Sequence, residues 1–173
     1  TLMIDIILKE MLGRLPKRSQ DLLSRRFGLK NNSPETLEAI GDDFGITRER
    51  VRQIENSAIR VVTQNPADDL GKFNKLVRGH LDRFGGAREE TRLLEEIRFM
   101  LNDRHPASPA RVRFILSVGT NFKHAFPSPS HHAFWATNES VAKQVHKFVE
   151  GSAKEMKKQK QPIELTNVES FAR

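Results

Sequence analysis

Cysteine and tyrosine are absent from the 173 residues, and tryptophan occurs once. Without thiols the chain has no disulfide framework, no zinc-thiolate centre and no cysteine nucleophile, a composition compatible with a reducing interior. Long apolar runs are missing too, and none approaches the ~20 residues of a membrane-spanning helix. The opening TLMIDIIL carries Asp5 and has neither a basic leader nor a small-residue cleavage site, so a soluble intracellular protein with no membrane partner is expected. Catalytic groupings are equally scarce. Asp42-Asp43 and Asp68-Asp69 fall on helix surfaces or in first turns, and His131-His132 lies in a loop without a carboxylate or cysteine at ligand spacing. No enzymatic activity, metal or cofactor is therefore expected.

What the chain does carry is positive charge, 29 Lys and Arg against 22 Asp and Glu, for a formal net charge of +7. That balance suits a nucleic acid or an acidic protein surface, and charge alone does not choose between them. The length suits one ordinary domain or two small ones, and two small ones is the reading adopted.

The most informative stretch runs from Thr36 to Arg60, TLEAIGDDFGITRERVRQIENSAIR. Leu37, Ile40 and Phe44 recur on one helical face, and Gly45 follows where the chain must turn with positive φ. After Ile46 and Thr47 a second pattern buries Val51, Ile54, Ala58 and Val62. Glu49, Arg52, Gln53, Asn56 and Arg60 then fall on the opposite side. The pattern is that of a helix-turn-helix. A helix that enters the major groove must present side chains able to pair with base edges, and Arg48, Glu49, Arg52 and Gln53 supply such types in its first two turns. Glu55 sits about 40° from Val51 by helical geometry, which suits pairing with an arginine inside the domain.

The periodicities around this motif are mostly helical. Ile4, Leu8, Met11 and Leu12 make a stripe that Gly13 ends, and although the isoleucine-rich start has strand propensity, the spacing favours helix. Pro16 opens a second helix with Leu22, Leu23 and Phe27 on its buried side. Past Asn65, Phe73, Leu76, Val77, Leu81 and Phe84 form another stripe before the flexible Gly85-Gly86 pair, so both Asn65 and that pair are candidate boundaries. Leu93, Leu94, Ile97, Met100 and Leu101 mark the next helix. Ser108-Pro109 caps one more, which carries Val112, Ile115, Leu116 and Val118.

The pattern then changes. Phe122 to Phe126 and Ala133 to Ala136 flank a Pro-Ser-Pro-Ser-His-His turn and read as a small β-hairpin or wing, on which Lys123, His124 and His131 are candidates for a second DNA contact. A long helix with Val141, Val145, Phe148 and Val149 starts at Thr137 or Asn138. It ends in a lysine run to Lys160, a run that more often marks a solvated helix end. The expected fold class is mainly α. It comprises an N-terminal helix-turn-helix bundle (1–65), a winged-helix-like helical domain with a small β-hairpin (66–161), and a tail or the start of a further domain (162–173).

LPKRSQDLLSRRFGL, followed by TLEAIGDDFGITRERVRQIENSAIR, closely resembles region four of the primary-class bacterial sigma factors. The resemblance implies a bacterial, cytoplasmic protein of transcription initiation that reads the minus thirty-five promoter element in double-stranded DNA, with Arg48, Glu49, Arg52 and Gln53 facing bases. It implies DNA-backbone contacts from Arg26, Thr36, Leu37, Thr47 and Arg60. It also implies docking on core RNA polymerase, at the flap of the beta subunit, through Leu15, Lys17, Arg18 and Leu22. Two departures matter. No aromatic-rich basic helix for melting the minus ten element is present, so this chain alone is not expected to open promoters. Asn56, Ser57 and Val61 stand where the family usually keeps more positive charge. A protein-interaction module that binds the polymerase or a regulator without reading DNA is the alternative.

Overall fold

The computed structural model describes residues 2–101 and 108–158. Lys160, Pro162 and the tail from 162 to 173 lie outside the described residues. The elements are α1 (Leu2–Gly13), α2 (Lys17–Arg26), α3 (Leu37–Phe44), α4 (Arg48–Gln64), α5 (Leu70–Arg83), β1 (Ala87–Glu89), α6 (Glu90–Met100), α7 (Pro109–Gly119), β2 (Lys123–Ala125), β3 (Phe134–Ala136) and α8 (Glu139–Lys158). The chain is mainly helical, with a small antiparallel sheet.

Local chemistry sets most of these boundaries. Pro16 occupies the residue before α2, with φ −56° and ψ 147°, so its ring costs the helix no hydrogen bond. The Thr36 hydroxyl accepts from the Ala39 amide at 3.1 Å and opens α3. Asn138 does the same for α8, its side-chain oxygen accepting from the Val141 amide at 3.0 Å. Glu89 opens α6 by accepting from the amides of Thr91 and Arg92, both at 2.9 Å. Burial pushes the Glu89 carboxyl up, yet these two donors outweigh it and hold the group below the usual range. Ser108, expected as a cap for α7, makes no cap bond; its hydroxyl meets the side-chain oxygen of Asn32.

Contacts divide the described residues into two units, 2–77 with 94–101 and 108–121, and 78–93 with 122–158. This division differs from a boundary at residue 65. Helices α5 and α6 each supply residues to both units. In the first unit α3 packs on α4, α2 on α3 and α4, and α7 on α1 and α4. Ile4, Ile7, Met11, Leu22, Leu23, Leu29, Ile40 and Val51 are among its most deeply buried side chains. Burial of so many aliphatic groups, each worth ~1.5–3 kcal/mol, dominates the stability of this unit.

The second unit holds the sheet, in the order β1-β3-β2 with both pairings antiparallel. The expected hairpin is present as β2 and β3, with Lys123 opposite Ala136 and Ala125 opposite Phe134. A third strand joins it. Gly85-Gly86, read as a flexible boundary, instead leads into β1, where the Gly86 carbonyl accepts from the Thr137 amide at 2.8 Å and Ala87 pairs with Ala136. Central β3 is buried on both faces. Phe134 and Ala136 pack with Ala125 and Ala142, beneath Val141 and Val145 of α8. On the other face the Trp135 indole donates to Glu90 at 3.0 Å and lies 4.5 Å from the His124 ring. The sheet and helix order fit the winged-helix-like expectation.

Two glycines separate packing from propensity. A methyl at Gly41 would stand 2.7 Å from the Ile46 carbonyl oxygen, a backbone atom that cannot rotate aside. Gly79, inside α5, is exposed, and a methyl there meets nothing within 4 Å. Gly41→Ala is expected to destabilise the protein by about 1–3 kcal/mol. Gly79→Ala should stabilise it by up to about 1 kcal/mol. Urea unfolding of the two variants reads both signs, and a neutral Gly41→Ala would mean that α3 and the turn after it are not in close contact.

Candidate nucleic-acid interface

The site is built by the junction of α3 and α4. Gly45 takes the left-handed conformation, φ 64° and ψ 35°, as its position in the sequence implies. The Ile46 amide donates back to the Gly41 carbonyl at 2.9 Å, which folds the chain against α3. The Thr47 hydroxyl then accepts from the Arg50 amide at 3.2 Å and fixes the first residue of α4. With that start defined, Val51, Ala58 and Val62 face inward and are buried. Arg48, Glu49, Arg52, Gln53, Asn56 and Arg60 are all exposed along the other side. The four expected base-facing residues thus share one surface.

Their side chains are connected. Arg52 grips Glu49 with two hydrogen bonds, 2.8 Å from Nε and 2.7 Å from a terminal nitrogen, and Gln53 donates to the same carboxylate at 3.4 Å. The Arg52 guanidinium holds the Glu49 carboxyl below the usual glutamate range, and Glu49 in turn pushes Arg52 up. Arg48 pairs with Glu38 of α3 at 2.9 Å. Arg50, which the motif reading passed over, is also exposed and donates to the Gln53 side-chain oxygen at 3.1 Å. Its position three residues before Gln53, on the edge of the same exposed arc, is the signal that was available.

The residues expected on the DNA backbone are placed less uniformly. Thr36 and Thr47 are exposed and already serve as helix caps. Arg60 is exposed and Leu37 half-buried. Arg26 turns partly inward: its Nε lies 3.4 Å from Glu55, and a terminal nitrogen donates to the Glu35 carbonyl at 3.0 Å. Glu55 therefore pairs with an arginine inside the domain, as its place beside the apolar stripe suggested. Arg25, absent from the sequence reading of the site, organises the approach. It binds Glu35 through contacts of 2.6–3.1 Å and Asp43 of α3 at 2.6 Å, and these partners, Glu35 foremost, push its guanidinium above its ordinary range.

The expected polymerase-facing set needs correction. Leu15 and Leu22 are 5% and 0% exposed, so they belong to the core and offer no surface to a partner. Lys17 and Arg18 remain exposed, Arg18 donating to the Phe44 carbonyl at 3.2 Å and lying 5.1 Å from the centre of its ring. The wing residues are placed unevenly. Lys123 is exposed, but His124 packs on Trp135 and stands 2.8 Å from Glu90, and His131 contacts His146 at 3.0 Å between ring nitrogens. Among the described residues no group of three or more histidines and carboxylates is placed to hold a metal ion, and no helix is long and apolar enough to cross a membrane.

Comparison with known proteins agrees with this geometry. Residues 11–63 match the family described as sigma-70, region 4. A 53-residue segment is 47% identical to a protein named RNA polymerase sigma factor SigA from Bacillus sp., covering 31% of this chain and 14% of that relative. The chain thus spans a small part of the curated relative it matches. No solved structure matches.

The Glu49–Arg52 pair carries a pH signature. A depressed carboxyl pKa means that the pair is intact above the ordinary glutamate range and is lost as pH falls through the lowered value. The side-chain carboxyl resonance of Glu49 should titrate below the ordinary value of 4.5, and Arg52→Ala should move its midpoint up. A midpoint indifferent to Arg52→Ala would mean that the pair does not form in solution.

Proposed function

We propose, on the premise that residues 11–63 form a sigma-70 region 4 helix-turn-helix, that the chain binds promoter DNA at the minus thirty-five element and acts with RNA polymerase in transcription initiation. In this reading α4 enters the major groove, and Arg48, Glu49, Arg52 and Gln53 face base edges. Thr36, Leu37, Thr47, Arg60 and the outer edge of Arg26 meet the sugar-phosphate backbone. Residues 1–65 would form the DNA-binding part and residues 66–161 a winged-helix-like part, with 162–173 a tail or the start of a further domain. Lys17 and Arg18 remain for the flap of the polymerase beta subunit. The bacterial cytoplasm is where such a partnership would operate.

The observation that carries the reading is the exposed arc of α4, where Arg48, Glu49, Arg52 and Gln53 are all exposed while the apolar stripe faces the core. Arginine suits the two acceptors of guanine, and glutamate tolerates the phosphate field only by accepting from a cytosine amino group. Arg52 gripping Glu49 keeps both side chains extended along the helix, which lowers the ordering cost on binding.

The protein-interaction alternative draws on the same pair. A carboxylate already satisfied by its neighbour, followed by uncharged Asn56, Ser57 and Val61, leaves less net attraction for phosphates. A DNA shift assay at fixed salt beside a pull-down with core polymerase separates the two, since polymerase binding without sequence preference would favour the alternative.

On the promoter reading, Arg52→Ala should cost about 1–3 kcal/mol on the preferred duplex and relax preference at one base pair. Arg60→Ala should weaken all duplexes alike and reduce the salt slope by about 1. Equal loss on every sequence from Arg52→Ala would remove it from base reading.

A further inference from the structure

Two imidazoles meet in the second unit, one on the connection between β2 and β3 and one on α8. The His131 Nε2 lies 3.0 Å from the His146 Nδ1. Both residues are half-buried, so the pair is within reach of solvent. The sequence spacing of His131-His132 gave no ligand set because the second ring comes from fifteen residues further on, brought there by the packing of α8 on the sheet.

The surroundings hold both rings in place. The Ser128 amide donates to the His131 carbonyl at 2.9 Å and the His131 amide to the Ser128 carbonyl at 3.3 Å, which closes the backbone into a tight turn. Phe134 of buried β3 lies 5.3 Å from the His131 ring and 5.4 Å from the His146 ring. The His131 Nδ1 lies 2.8 Å from the His132 carbonyl, which can only accept, so Nδ1 carries the proton and Nε2 presents a lone pair. A ring anchored in this way through one nitrogen, with a lone pair on the other, is how histidines are oriented on metals. In the pair the His146 Nδ1 donates its proton to that lone pair. Neutral imidazole exchanges tautomers through water, and with the proton on Nε2 His146 offers a second lone pair at Nδ1. The ring centroids are 4.5 Å apart, less than the nitrogen separation plus two ring radii, so the nitrogens meet at a bend and small rotations aim both lone pairs at one point.

We propose that His131 and His146 form a two-imidazole site for a divalent transition metal, Cu(II) or Ni(II), with water at the remaining positions. Imidazole nitrogen suits both ions, and a site completed by water needs no third histidine or carboxylate. With metal–nitrogen bonds of ~2.0–2.1 Å, donors 3.0 Å apart subtend about 90–95° at the metal. That is the cis angle of square-planar and octahedral ions. A tetrahedral ion such as zinc holds its donors about 3.3–3.4 Å apart at the same bond length, so the pair selects against it. Bound metal ties the β2–β3 connection to α8 by two coordinate bonds in place of one hydrogen bond. No side chain of α4 takes part, and the inference does not rest on the promoter reading.

Calorimetric titration of the tag-free full chain, stripped of metal beforehand, with Ni(II), Cu(II) and Zn(II) salts at neutral pH tests the site. One Ni(II) or Cu(II) per chain is expected, with zinc bound more weakly than nickel. His131→Ala and His146→Ala should each lower the nickel affinity by about tenfold or more. His132→Ala keeps the backbone carbonyl that anchors His131 and should leave the affinity unchanged. No binding of either ion, nickel affinity unmoved by His131→Ala and His146→Ala, or zinc bound more tightly than nickel would overturn the proposal. Substoichiometric Cu(II) added to the unaltered chain supplies a readout that a folding defect in a variant cannot mimic. Paramagnetic broadening should remove the ring signals of His131 and His146 before those of the other histidines, and broadening centred elsewhere would equally overturn the assignment.

Discussion

The turn between α3 and α4 closes because position 41 has no side chain. The Ile46 carbonyl comes so near that a β-carbon would be 2.7 Å away, and the Ile46 amide donates to the Gly41 carbonyl across the same gap. That contact sets the angle between the two helices. Thr47 caps α4 immediately afterwards, so the angle also determines where Arg48 and Glu49 emerge. Had α4 begun one residue later, each side chain would move about 100° around the axis, and the polar arc would no longer be the exposed one.

Charge holds the approach to this junction. Arg25 reaches Glu35 before α3 and Asp43 near its end, so one guanidinium spans the helix. Arg18 and Arg25 lie 5.1 and 5.6 Å from the centre of the Phe44 ring, adding cation–π attraction to the same contact. Arg26 and Glu55 tie α2 to α4 in a less solvated place, where an ion pair is screened less than on the surface. The Glu49–Arg52 pair is of another kind, since both side chains are more than half exposed. Such pairs add little to stability. Their effect is conformational, keeping two long side chains side by side until a partner offers each a better contact.

Much of the helix-turn-helix was legible because its signals are local: threonines at two helix starts, a glycine in the turn, and an apolar spacing of three and four. The places where the reading missed are non-local. Leu15 and Leu22 sit on a stripe that would look the same whether it packed inside the bundle or docked on a partner, and only the folded contacts decide for the interior. Ala87, Arg88 and Glu89 have no strand propensity, so β1 was invisible; pairing with buried β3 makes it a strand. The apolar residues of α7 were recognisable as core, yet their sequence spacing does not say which helices they would meet. Arg25 was hidden for a related reason, because its partners are ten and eighteen residues away.

Helix α7 is also short. Eleven residues are fewer than the ~12–15 that an isolated helix needs to be even marginally stable in water. Its helical state therefore depends on the apolar contacts of Phe114, Ile115 and Leu116, all at most 1% exposed. Loss of those contacts would cost most of the helix together, so α7 is stable only as part of the bundle it packs against. The Arg111–Asp5 pair at one end cannot substitute for that packing, because the apolar contacts contribute through water exclusion, which a partly exposed charged pair does not replace.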